Sequence, residues 1–238
     1  MKGVNLMMNK TPRQNGFTLI ELMIAMLIGL IVMAAVISIY IITIKGSSNA
    51  VKSARLNQDI SVVMLIMTND IRRAGYWGGA IIDANLTTNP FTDVMVRDVG
   101  ATAGALSGNC ITYSYDADAW EVTIPPYDPD TDSIAPSANE YYGFRLVNGA
   151  IQIKTSGTTS LAPACGDGVW VNATDSDQFT ITNLLFELTA DNTATNSSGN
   201  TVTARQIEIT IDGEVESDDE ISASLNEFVK IRNNLIVP

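Results

Sequence analysis

The chain has 238 residues, 46% apolar and 7% aromatic, enough for one sizeable domain or two small ones with a real core, which excludes disorder as its general state. Charged residues make up only 17%, with 14 basic against 26 acidic side chains and a net charge of −12; residues 74–238 alone carry six basic against 23 acidic. So acidic a bulk repels phosphate backbones, and the absence of any histidine removes the commonest general base and transition-metal ligand, so the composition speaks against direct nucleic-acid binding and against most enzymes.

Residues 1–16 carry Lys2, Lys10 and Arg13 and no acid. From Leu22 to Ile44 the sequence reads LMIAMLIGLIVMAAVISIYIITI without a charge. As a helix rising ~1.5 Å per residue it is long enough for a ~30 Å hydrocarbon core, and too long for the core of a secretory signal. Basic residues on both sides, with Lys45, Lys52 and Arg55 following, leave its orientation open. The cysteines point outward: Cys110 and Cys165 are the only two, both lie downstream, and an even pair suits an oxidising compartment. A bridge between them would contribute about 4 kcal/mol in the chain-entropy model; two separate buried thiols are the alternative. With the bridge, residues 45–238 lie outside the cytoplasm.

Glu21 breaks the apolar pattern at the entrance of this run. A charge in or near hydrocarbon costs at least ~2.5–3.5 kcal/mol, and such residues are functional by default. The bland alternative is an interfacial glutamate neutralised by a proton or by the positive end of the helix dipole. If the chain were cut after Gly16, the new amine of Phe17 would lie about one helical turn from Glu21. Amine and carboxylate of neighbouring copies could then neutralise each other in an assembled bundle.

Gly16-Phe17-Thr18-Leu19-Ile20-Glu21, after a short basic leader and before an uninterrupted apolar helix, resembles the class III signal of type IV pilins and type II secretion pseudopilins. The resemblance implies cleavage between Gly16 and Phe17 by a prepilin peptidase on the cytoplasmic face and N-methylation of Phe17. It also implies retention of the helix as filament core, with Glu21 as the assembly glutamate. The leader is longer than the commonest ones; a start at Met8 instead of Met1 gives a more typical one, MNKTPRQNG.

Beyond Lys45-Gly46-Ser47-Ser48, Leu56, Ile60, Val63, Met64, Met67, Ile71 and Ala74 recur at three- and four-residue steps and form one apolar stripe. No proline occurs between Pro12 and Pro90, so the spacing predicts one helix from Phe17 to about Ala74, half apolar all round and half amphipathic. Gly75-Tyr76-Trp77-Gly78-Gly79 predicts its end. Asp70-Ile71-Arg72-Arg73-Ala74-Gly75-Tyr76-Trp77-Gly78 resembles the helix exit of the PilW family of minor pilins. Phe228-Val229-Lys230-Ile231-Arg232-Asn233 resembles the closing strand and Arg-Asn pair shared by PilW-like and pseudopilin J-like proteins.

Residues 80–238 read as β-rich. Asn148-Gly149 between 141–147 and 150–154 is a strong hairpin signal. Further strands are predicted at Cys110–Tyr115, Trp120–Ile124, Val169–Asn172, Gln178–Ala190, Thr201–Ile211 and Ser222–Arg232, with Thr189–Asn200 and Asp212–Glu220 as loops. The expected fold is α+β and pilin-like: a long N-terminal helix packed on an antiparallel β-sheet head. The expected divisions are a leader (1–16), a transmembrane half-helix and filament core (17–45), an amphipathic half-helix with its exit (46–79) and a periplasmic or extracellular head (80–238).

Asp128, Asp130 and Asp132 alternate like the start of a calcium loop, but Ser133 and Asn139 stand where the loop needs glycine and glutamate. A solvated loop is the default reading there and in the acidic run Glu214, Glu216, Asp218, Asp219, Glu220. No other metal or cofactor is implied, and neither a phosphate-binding loop nor a nucleophile-elbow motif is present. The resemblance implies a minor pilin in the bacterial inner membrane and then at the pilus surface. Its partners would be prepilin peptidase, other minor pilins, the major pilin and a tip adhesin. The alternatives are a J-type secretion pseudopilin and an anchored binding or adhesin module that never polymerises. The basic residues Lys52, Arg55, Arg72 and Arg73 are expected to be solvated or subunit-facing.

Overall fold

A computed structural model of the chain describes residues 16–78, 89–101, 104–117, 139–156, 165–195 and 199–237. The leader before Gly16, the predicted strand 120–124 and the calcium candidate Asp128, Asp130 and Asp132 lie outside them. Two compact units divide the chain, residues 1–49 and 50–238.

Helix α1 runs Leu19–Ile71, slightly shorter than the periodicity predicts at both ends. Thr18 caps its start: the Glu21 backbone N–H donates to Thr18 Oγ1 at 3.3 Å. At the other end the hydrogen bonding tightens to three-residue steps, Arg73 N to Asp70 O (2.9 Å) and Ala74 N to Ile71 O (3.1 Å). Gly75 then reverses the chain at φ +77°, where a side chain would be strained.

In the first unit the helix is exposed throughout, and its span is long and apolar enough to cross a membrane. Two polar side chains within it satisfy themselves on their own helix: Ser38 Oγ donates to Ala34 O (2.9 Å) and Thr43 Oγ1 to Ile39 O (2.8 Å).

In the second unit the stripe predicted from spacing is buried: Leu56, Ile60, Val63, Met64, Met67 and Ile71. It shares one core with two antiparallel sheets. The first sheet has the order β1 (Val94–Arg97), β3 (Cys110–Ser114), β4 (Tyr141–Val147), β5 (Ala150–Ser156) and β6 (Val169–Asn172). The second places β2 (Ser107–Gly108) beside β7 (Phe179–Thr195) and β7 beside β8 (Thr201–Val215). Along the other edge of β8 lie β9 (Asp218–Lys230) and then β10 (Leu235–Val237). Asn148 and Gly149, at φ 51° and 73°, make the predicted two-residue turn between β4 and β5.

Two predicted loops are mostly strand. β7 continues to Thr195, and the acidic stretch 212–220 holds the ends of β8 and β9 around the turn Glu216-Ser217. The reason is alternation. Ile207, Ile209, Ile211, Gly213 and Val215 face the core while Glu208, Asp212 and Glu214 face outward, so acidic composition and strand geometry coexist. Composition marked the outward half of the pattern and hid the inward half. A Cβ at Gly213 would come within 3.2 Å of Ile60, so the bare backbone there lets helix and sheet approach closely.

Candidate functional site

Two sets of residues stand apart from ordinary core and surface. The first is the segment at the head of α1. Gly16 has open space where a Cβ would sit, and Phe17 is 85% exposed. Glu21 and every residue after it to Ala50 are exposed. Among the described residues no contact requires glycine at 16 or an aromatic ring at 17. The one internal role is the Thr18 cap. Thr18-x-x-Glu21 has the spacing of a capping box, a signal legible in the sequence and not used in reading it.

The second set is the helix exit, where the two stretches that resemble the minor-pilin family meet in space. Asp70 accepts hydrogen bonds from Tyr113 Oη (2.5 Å) and Tyr115 Oη (2.9 Å), and the Arg73 guanidinium lies 3.8 Å from it. Arg73 also covers the Tyr115 ring at 4.0 Å, and Tyr115 stacks on Tyr142 with centroids 4.0 Å apart. Burial, then the Asp70 charge, raises the ionisation of both Tyr113 and Tyr115 well above the usual phenol range. Both rings therefore remain neutral donors.

The orphan carbonyls of the helix end are taken up by the closing segment. Asn233 Nδ2 donates to Ala74 O (3.1 Å) and Arg73 O (3.4 Å), and the Arg232 N–H to Arg72 O (3.3 Å). Gly75 N donates to Ser114 O (2.9 Å), while Asn89 Nδ2 reaches Gly75 O (3.0 Å). Behind them sits Arg205, only 7% exposed, donating to Thr92 O (2.6 Å) and Asn233 O (3.4 Å). Burial pulls its guanidinium ionisation down, and the Asp93 charge opposes that shift. Sequence reading missed Arg205 and Asn89. A lone arginine at an inward position of β8 was the available signal.

Cys110 and Cys165 are joined, both buried, with Cα atoms 6.3 Å apart. Arg145 donates to Cys165 O (2.5 Å) and lies over the Trp170 ring at 4.2 Å. The four basic residues expected to be solvated or subunit-facing lie in different surroundings, Arg73 over the Tyr115 ring among them. Lys52 and Arg55 line a cavity with Asp59, Asp177 and Glu216, whereas Arg72 faces Phe228, Lys230 and Arg232. Among the described residues no three Asp, Glu or Cys side chains converge as metal ligands.

The family of prepilin peptidase-dependent protein B matches the chain over residues 49–231. The prokaryotic N-terminal methylation motif matches residues 11–37, across Gly16, Phe17 and Glu21. Comparison with curated proteins and with solved structures found no match.

Proposed function

We propose, for a chain that belongs to the prepilin peptidase-dependent protein B family, that it acts as a minor pilin of the PilW type. It is a pilin-type protein dependent on prepilin peptidase, with an apolar N-terminal helix fitted to membrane anchoring. In the proposed cycle the basic leader holds the N-terminus in the cytoplasm until the peptidase cuts between Gly16 and Phe17. Phe17 is then methylated, and the helix waits in the inner membrane with the head in the periplasm.

The observation that carries this reading is the exposed apolar helix headed by Gly16-Phe17 and Glu21. Each large apolar side chain from Phe17 to Ile44 is worth ~1.5–3 kcal/mol out of water, so together they hold the helix in apolar surroundings by tens of kcal/mol. A subunit can leave the bilayer only if the same surface is buried against other pilin helices at that moment. Glu21 facing a neighbour's Phe17 amine removes the cost of a lone charge in that bundle. The subunit then sits at the pilus tip with other minor pilins, primes assembly onto the major pilin and presents an adhesin. The reaction is assembly without catalysis.

Deletion of the gene, scored by surface pilus counts and by exoprotein secretion, tests this. Loss of pili with secretion intact is expected, with rescue by the wild-type chain and weaker rescue by Glu21→Ala, which is still processed. Replacing Gly16 should leave an uncleaved precursor on a gel. Intact pili with lost secretion would favour the J-type pseudopilin, which shares the Arg-Asn closing strand. No change in either would favour the anchored module.

A further inference from the structure

We infer that the free edge of β9 takes on an extended segment of a different pilin subunit as an added strand. The acidic end of that segment sits in the notch formed by Arg72, Phe228, Lys230 and Arg232. β9 is a 13-residue strand at the border of the second sheet, and among the described residues it pairs with β8 alone. A border strand leaves a row of backbone N–H and C=O groups without partners, and folds guard such rows with charges, prolines or bulges. Between Glu220 and Glu227 the strand has neither charge nor proline, and from Ser222 to Asn226 its pairing with β8 runs without a register shift. The core-facing row is unfinished as well. Ile207, Ile209 and Ile211 of β8 are 0% exposed, whereas Ile221, Ala223 and Leu225 of β9 pack against the same core and stay only partly buried. A further strand would cover both the backbone row and these side chains.

The two ends of β9 define the charges that the incoming segment carries. Arg72, Phe228, Lys230 and Arg232 line a notch of about 520 Å³ where β9 gives way to the segment that caps the helix. Among the described residues Arg72, Lys230 and Arg232 form no ion pair, and Phe228 is 55% exposed beside them. At the opposite end stand Asp218, Asp219 and Glu220. An added strand with carboxylates beside the notch meets three uncompensated cations, whereas one with its charges reversed meets like charge at both ends. A second copy fits neither way. Added antiparallel, it brings its own acidic start to the notch, but the two-fold axis normal to the sheet reverses a helix packed on the sheet face. The two copies of α1 would then run in opposite directions, which a shared membrane does not allow. Added parallel, a second copy sets acid against acid and cation against cation. The occupant is thus another subunit of the assembly; the inference deepens the minor-pilin reading and rests on it for that neighbour.

The test uses the full chain in a non-ionic detergent and fluorescein-labelled peptides of alternating valine and threonine, with a pair of aspartates at one end or at the other. Binding is followed by fluorescence anisotropy and by residue-resolved hydrogen exchange. One of the two peptides should bind and slow exchange at alternate residues of 221–227, which exchange fast in the free chain. Lysines in place of the aspartates should weaken binding at least tenfold, and a central proline should abolish it. R72E/R232E should reverse the preference and bind the lysine peptide better, a gain that misfolding could not produce. Failure of both aspartate peptides to bind, equal binding of the proline peptide, or an unchanged preference in R72E/R232E would overturn the inference. Alternate amides already protected in the free chain would also refute it, because the edge is then covered from within. Displacement of the peptide by a thymidine 20-mer at equal concentration would replace it with a nucleic-acid site. Peptide binding with a deletion strain normal in pili and secretion would leave the edge standing and sink the minor-pilin reading, and loss of pili without peptide binding would do the opposite.

Discussion

Replacing Tyr113 by phenylalanine isolates the interaction that ties the first sheet to the helix exit. The Tyr113 ring is fully buried, and its hydroxyl donates to the Asp70 carboxylate at 2.5 Å, a hydrogen bond to a charged group worth about 1.5–3 kcal/mol. Tyr113→Phe keeps the ring in the core and removes only that bond, so it should cost the head this amount at pH 7. The cost should then depend on pH in a defined direction. Burial and the Asp70 charge raise the folded-state ionisation of Tyr113 above the unfolded value of about 10. Its stabilisation is thus complete below pH 10 and is lost as pH rises, because the unfolded chain releases a proton that the folded chain retains. The slope is about 1.4 kcal/mol per pH unit for one proton. The deficit of the phenylalanine variant, which has no such proton, should shrink by about 2 kcal/mol between pH 10 and 11.5. Urea unfolding of both proteins in detergent, followed by circular dichroism at pH 7, 10 and 11.5, measures this. A deficit that stays constant to pH 11.5 would refute the buried Tyr113–Asp70 bond.

Two substitutions on one helix should separate core from surface: Met67→Ala, at a fully buried position, costs about 2–5 kcal/mol, whereas Leu65→Ala, 59% exposed, changes urea stability by less than about 0.5 kcal/mol. Loss of the Cys110–Cys165 bridge, by double serine substitution or by reductant, should cost about 4 kcal/mol, and reduced wild type should match the double variant in urea midpoint.

The helix was legible because two different patterns follow one another in it. Residues 22–44 carry no charge and are polar only at Ser38 and Thr43, which an all-round apolar environment explains, and from Leu56 onward the apolar residues fall at three- and four-residue steps, which a sheet on one side explains. Strands with clean alternation or a defining turn, such as 206–211 and the Asn148-Gly149 hairpin, were equally visible. The short strands β1, β2 and β10 were not. Two to four residues carry too little period to rise above the surrounding loops, and their positions depend on partners far along the chain. The acidic end of β8 was misread for the opposite reason: its composition is a loop's, and only the inward Gly213 and Val215 keep it in the sheet.

The candidate sites divide along a different line, between residues the fold itself demands and residues it leaves unexplained. Gly75 is demanded from within: its φ is positive, its carbonyl and amide are both bonded, and a Cβ would press on Asn233 at 3.2 Å. Asn233 is demanded in the same way, by helix-end carbonyls that need donors, while Arg205 holds Asn233 through its carbonyl and Asp70 accepts from the two buried tyrosine hydroxyls. Sequence alone could flag both segments, 70–78 and 228–233, but not that one completes the other, because their pairing is a tertiary contact across more than 150 residues of chain. Gly16, Phe17 and Glu21 have no such internal account. Gly16 has room for a side chain and Phe17 has no shelter, so among the described residues no packing contact accounts for either. Under the proposed function, a peptidase that cuts after a small residue and a bundle of neighbouring helices are the two external surfaces that would account for them.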